Sequence, residues 1–203
     1  MKVVYISDSY DNPGQIKLVE SLNRHGWEHQ HIYAPFRGLG YKISELAKWC
    51  RESGEREFIM LDAFDTYCLA GPDEWQTPLF SKLMVNGEKH CYPHPEKHIH
   101  FVERSPWKYC NSGMIYGRSD YFLSLVEKYP FDDAENDQIW YTDRAINKEV
   151  QIDVTCNMFQ SIAFEMEGDF HYGAGMLLNM VTTTMPIFVH GNGKTDMSKI
   201  YAL

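Results

Sequence analysis

The chain has 203 residues, 44% hydrophobic and 23% charged, which suits one globular domain and excludes a disordered or fibrous chain. Its net charge of −9 excludes a protein that holds nucleic acid by its overall field, because such affinity comes largely from neutralising phosphates. The odd number of cysteines, 5, with no Cys-x-x-Cys pair, points to free thiols in a reducing compartment.

Val3–Ile6 reads as a short apolar strand that meets the polar turn Ser7–Gly14, not as an export signal. Gln15–Asn23 carries Ile16, Val19 and Leu22 at helical spacing, and Gly26 supplies a stop. His29–Tyr33 is a second strand and Pro35–Gly40 a loop. Ile43–Arg51 is a helix with Ile43, Leu46, Ala47 and Cys50 on one face. Phe58–Leu61 is a continuous apolar run, as expected of a strand covered on both faces. This β-α-β-α-β alternation predicts an α/β fold with a mainly parallel sheet flanked by helices. Ligands of such sheets bind beyond the carboxyl ends of the strands, where Ser7–Asp11 and Asp62–Asp65 lie.

The second half is less regular. Ser112–Tyr116 reads as a strand, Asp120–Lys128 and Asn136–Ala145 as helices, and Gly168–Gly175 as a loop. Pro186–Val189 is a late strand that ends on His190-Gly191-Asn192-Gly193. No repeat or linker divides the chain, and no apolar run approaches the roughly 18 residues that span a bilayer.

Asp62 and Asp65 are two carboxylates delivered by a buried strand to a sheet edge. Hard oxygen ligands of this kind suit Mg²⁺ or Mn²⁺, although one of the pair can equally cap a turn. An imidazole from His190 shifts the preference towards Mn²⁺, and the glycines around Asn192 permit close approach to a ligand. Asn111, Ser112 and Gly113 are suited to lie against a polar ligand. Asp137 and Gln138 open a helix and can meet hydroxyl groups, while Asn136 and Glu135 fit helix capping as well as any chemistry.

Taken in order, Asp62-Ala63-Phe64-Asp65-Thr66-Tyr67, Asn111-Ser112-Gly113, Asn136-Asp137-Gln138 with Trp140-Tyr141-Thr142, Phe159-Gln160 and His190-Gly191-Asn192-Gly193 resemble the glycosyltransferase domain of the procollagen lysyl hydroxylase/glycosyltransferase family and its small viral relatives. The resemblance implies a GT-A (Rossmann-like) fold over residues 1–203, with 1–70 as the nucleotide-binding half and 71–203 as the sugar and acceptor half. It implies a UDP-sugar donor and Mn²⁺, or Mg²⁺, held by Asp62, Asp65 and His190. Donor contacts are expected from Ser7, Asp8, Lys42, Asn111, Ser112, Gly113, Gln138, Gly191, Asn192, Gly193 and Lys194. Catalytic roles fall to Asp137 and Glu135 in the acidic stretch.

Two features depart from the family. Lys194-Thr195-Asp196 stands where the family often has Pro-Thr-Lys, and nothing resembles its hydroxylase domains, so neither iron nor 2-oxoglutarate is expected. The expected activity is sugar transfer to a hydroxyl of modified phage DNA, hydroxylysine or a glycan, in the cytoplasm, a host's if the source is viral. The alternatives are a silent nucleotide-sugar binding module and a metal-dependent phosphohydrolase. His90, Cys91, His94, His98 and His100 crowd one segment, but Pro93 and Pro95 stiffen it and the spacing fits no standard zinc finger.

Overall fold

The computed structural model describes residues 1–77 and 82–203. Its elements in chain order are β1 (Lys2–Ser7), α1 (Pro13–Arg24), β2 (His29–Tyr33), α2 (Tyr41–Ser53), β3 (Glu57–Asp62), β4 (Thr66–Cys68), β5 (Leu83–Glu88), β6 (Tyr109–Arg118), α3 (Ser119–Lys128) and α4 (Asp137–Ile146). Then come β7 (Val150–Asp153), β8 (Phe159–Ser161), β9 (Phe170–Gly173), β10 (Met176–Asn179), β11 (Phe188–His190) and α5 (Ser198–Tyr201).

The central sheet runs β2-β1-β3-β6-β5-β7. β1 pairs in parallel with β2 and β3, β5 pairs in parallel with β7, and β6 runs antiparallel to both β3 and β5. The sheet is therefore mainly parallel, with one reversed strand in its middle. The side-chain period of 2 sorts its residues onto two covered faces. Val4, Ile6, Phe58 and Met60 pack with Ile43 and Leu46 of α2, Phe122 of α3 and Trp140 of α4. Val3, Tyr5, Ile59 and Leu61 pack with Leu18 and Leu22 of α1 and with Phe159 and Phe188. Burial on both faces is why β3 reads as an unbroken apolar run.

A second, three-stranded sheet, β4-β11-β8, stacks behind the α1 face, and β9 and β10 form a hairpin. The expected halves 1–70 and 71–203 share both sheets, since β3 pairs with β6 and β4 with β11. Among the described residues no helix is long and apolar enough to cross a membrane. All five cysteines are free, and burial pushes the Cys68 thiol up to about 12.

The structure corrects two local readings. The strand expected at Ser112–Tyr116 extends over Tyr109–Arg118, so Asn111 lies within β6 rather than ahead of it. The loop expected over Gly168–Gly175 contains β9. Ala174 and Gly175 both have positive φ, 53° and 76°, and form a two-residue hairpin turn whose twist matches the strands.

Candidate active site

β3 delivers Asp62 at its carboxyl end, and a three-residue turn carries the chain to β4. α1 braces that turn: a Cβ on Gly14 would collide with the Phe64 carbonyl. β4 then pairs antiparallel with β11, and the register sets His190 opposite Thr66, next to Asp65. The Gly191 amide donates to the Asp65 carbonyl at 2.8 Å and fixes this alignment. Strand pairing thus unites side chains from opposite ends of the sequence. His190 Nε2 lies 3.2 Å from Asp65 Oδ1 and 3.7 Å from Asp62 Oδ2.

The three donor atoms lie within 4.8 Å of one another. Two carboxylates and one imidazole form a donor set suited to Mn²⁺ or Mg²⁺. The imidazole is oriented for such a role. Asn111 Oδ1 accepts from the Gly113 amide at 2.9 Å, so it is the acceptor in its 3.0 Å contact with His190 Nδ1. His190 therefore carries its proton on Nδ1 when neutral, and Nε2 faces the carboxylates with a free lone pair. Burial lowers the affinity of His190 for a second proton, but Asp65 and Asp62 outweigh it and hold the imidazole above its ordinary pKa. Burial pushes the Asp65 carboxyl up, and His190 outweighs that in turn, leaving it below the usual carboxylate range.

The three side chains open onto a cavity of about 680 Å³. Lys42, in the first turn of α2, reaches into it. Its ammonium donates to Asp62 Oδ1 at 2.7 Å and lies 3.0 Å from Asp137 Oδ2. Asp137 is 3% exposed, and burial raises its carboxyl despite Lys42. The capping reading belongs to its neighbour: Asn136 accepts from the Gln138 amide at 2.9 Å, while Asp137 faces the cavity.

A buried polar network completes the floor. Glu88, at the end of β5, accepts from Gln138 Nε2 at 2.5 Å and from Asn192 Nδ2 at 2.7 Å. Gln138 also donates to the Tyr92 carbonyl at 2.8 Å, and Ser161 donates to Asn192. Burial pushes the Glu88 carboxyl up to about 7 despite these donors. A raised carboxyl pKa favours the fold at low pH and loses that advantage as pH climbs from 4.5 to about 7, here on the order of 3 kcal/mol. Glu88→Gln should therefore gain stability relative to the unmodified protein between pH 5 and 8, measured by urea unfolding. A difference that stays flat with pH would show that Glu88 titrates normally.

Of the residues expected from sequence, the cavity gathers Lys42, Asp62, Asp65, Asn111, Ser112, Gly113, Asp137, Gln138, His190, Asn192 and Gly193. Five lie outside its lining. Ser7 is buried, its hydroxyl donating to Gln15 Oε1 at 2.6 Å and contacting His31 Nε2 at 2.8 Å. Asp8 and Glu135 are exposed, and the Glu135 carbonyl accepts from the Gly40 amide at 2.7 Å. Gly191 packs on Met197, and Lys194 sits with positive φ in the turn beyond. Sequence reasoning missed Glu88. The signal was the short apolar run Leu83-Met84-Val85, which opens the strand that ends on it.

The histidine-rich segment forms no second cluster of three ligands among the described residues. His90 stacks on Phe164, His94 pairs with Glu96, and His98 contacts the Pro95 carbonyl along the 3₁₀ helix Pro95–His100.

The fold resembles that of the galactosyltransferase LgtC. An active-site mutant of LgtC superposes with a TM-score of 0.55 at 14% identity over 95% of this chain and 88% of that one. In sequence, an uncharacterized protein of Acanthamoeba polyphaga mimivirus is 28% identical over 77% of this chain and 36% of its own length. Procollagen-lysine,2-oxoglutarate 5-dioxygenase 1 of Mus musculus is 25% identical over 81% of this chain and 25% of its own length. The human multifunctional procollagen lysine hydroxylase and glycosyltransferase LH3 is 24% identical over 81% of this chain and 24% of its own length. The chain thus spans about a quarter to a third of the curated relatives it matches. The model of the PLOD GT domain matches residues 21–201, nearly the whole of the chain, which therefore belongs to the PLOD glycosyltransferase-domain family and has the GT-A fold.

Proposed function

We infer that this protein transfers a sugar from a UDP-sugar to an acceptor hydroxyl, with Asp62, Asp65 and His190 holding Mn²⁺. The observation that carries this reading is the convergence of those three side chains at the carboxyl edge of β3, beside a cavity of nucleotide-sugar dimensions. When bound, the cation offsets the diphosphate charge and stabilises UDP as a leaving group. The protein's own groups do the rest. Lys42 adds a second positive charge at the phosphate end and bridges Asp62 and Asp137, offsetting their mutual repulsion. Glu88, with its carboxyl raised to about 7, holds a proton over part of the neutral range and can donate it in a hydrogen bond to a sugar hydroxyl. Asn111 and Gln138 are locked by their own hydrogen bonds and fix the shape of the floor.

Calorimetry of UDP binding tests the metal. Asp62, Asp65 and His190 would leave a bound cation open to the diphosphate, so affinity should fall at least tenfold in EDTA and recover with Mn²⁺ more fully than with Mg²⁺. Unchanged affinity in EDTA would overturn the assignment. UDP release with and without acceptors then separates transfer from plain hydrolysis.

A further inference from the structure

One wall of the cavity is aromatic. Phe164 and His90 both line it, their rings stacked with centroids 3.9 Å apart and planes 28° from parallel. Phe164 is 59% exposed, although Ile162 and Ala163 just before it are buried. Its backbone is left-handed, with φ of 60°, an unfavourable conformation for a bulky residue. Lys89 stabilises that conformation. Its ammonium donates to the Phe164 carbonyl at 3.2 Å and to Asp169, which accepts in turn from the Met166 amide at 2.5 Å. Lys89 and Asp169 are only 10% and 11% exposed, and the ammonium also lies over the Trp107 ring. Lys89 therefore grips the backbone of Phe164 while the next residue, His90, lies against its ring. A desolvated ion pair and a strained backbone together hold a large apolar side chain in water, against the hydrophobic tendency to bury it. Strain held by its surroundings marks ligand contacts.

We propose that the Phe164–His90 pair is the stacking platform of the acceptor subsite, and that it takes the apolar C–H face of a neutral pyranose. The acceptor is then a glycan hydroxyl. This rests on the glycosyltransferase reading above. The floor groups Asp62, Asp65, His190 and Lys42 serve the donor's diphosphate, which leaves the aromatic rim for the second substrate. With the cation and Lys42 engaged by the donor's diphosphate, no ammonium or guanidinium is left free among the described lining residues to meet a phosphodiester acceptor. The nearby ammonium of Lys89 is committed to Asp169.

Saturation-transfer NMR with methyl β-galactoside, methyl β-glucoside and lactose, in the presence of UDP and diamagnetic Mg²⁺ in place of Mn²⁺, tests the platform. Two variants are compared with the unmodified protein. Phe164→Asn removes the ring but suits a left-handed backbone, so it should fold; Phe164→Tyr keeps the ring. At least one glycoside should show saturated ring C–H protons with the unmodified protein and Phe164→Tyr, and lose them with Phe164→Asn. The KM for that acceptor should rise about tenfold in Phe164→Asn while UDP affinity stays unchanged. Equal saturation in Phe164→Asn, or none of the glycosides saturated, would overturn the proposal. So would Phe164-dependent transfer to a hydroxylysyl peptide or hydroxymethylated DNA in place of glycans. Loss of Mn²⁺-dependent UDP binding in the unmodified protein would strike the donor reading instead, and glycoside saturation would still report on the platform.

Discussion

His190→Ala should lower Mn²⁺-dependent UDP affinity by one to two orders of magnitude, since even removing a residue that only hydrogen-bonds to a metal ligand costs about 10–100-fold. Asp62 and Asp65 share one turn and so have a local reason to be neighbours. His190 meets them only through the pairing of β11 with β4, so its loss tests whether the three act together. The pH dependence should change as well. Ligation needs a neutral imidazole, and Asp65 and Asp62 hold His190 above its ordinary pKa. Metal affinity of the unmodified protein should therefore fall as pH drops from 8 towards 6, and that slope should flatten in the variant. His190 is 3% exposed and contacts Asn111, so alanine should also cost roughly 1–3 kcal/mol of stability. Calorimetry well below the melting temperature separates the two effects. Equal UDP affinity in the variant would dissolve the metal centre as assigned.

Gly113→Ala should damage the same centre without touching a ligand. Gly113 lies in β6, where any residue can adopt the backbone, but a Cβ there would sit 2.5 Å from His190 Nδ1 and 2.8 Å from Nε2. The ring is buried and cannot turn away freely, so it must leave the position that aims Nε2 at the carboxylates. Metal-dependent UDP affinity should drop by at least tenfold, and the crowding should cost about 1–3 kcal/mol. A double-mutant cycle gives the sharper result. In a His190→Ala background the space is vacant, so Gly113→Ala should there cost little in affinity or stability. Additive losses would mean that the glycine acts on something other than the imidazole.

How much of this was legible follows from element length. β1, α1, β2, α2 and β3 are each long enough for periodicity to show, and their order alone predicted a parallel sheet with Asp62 at its binding edge. β4, β8 and β11 have three residues each, too few for any period, so the second sheet was invisible apart from the run before His190. The three candidate metal ligands were read from their places at strand ends and then from motif resemblance, while their juxtaposition depends on that unseen sheet. Glu88 escaped because the strand carrying it was not recognised. Ala174-Gly175 is a rarer hairpin turn than Asn-Gly, which hid β9 and β10.

The pairing of β4 with β11 also dictates when the protein acquires its site. Closing that contact joins segments separated by most of the chain, and long-range closures carry a large entropic cost that only later contacts offset. During synthesis the first five elements can assemble and present Asp62 and Asp65 while the histidine is still unmade. The emerging polypeptide thus passes through its infancy with two of the three proposed ligands on display and the third still missing. The third proposed ligand arrives only when β11, the last strand, slots between β4 and β8, so a chain cut short before β11 should bind no metal at Asp62 and Asp65 as tightly as the whole protein.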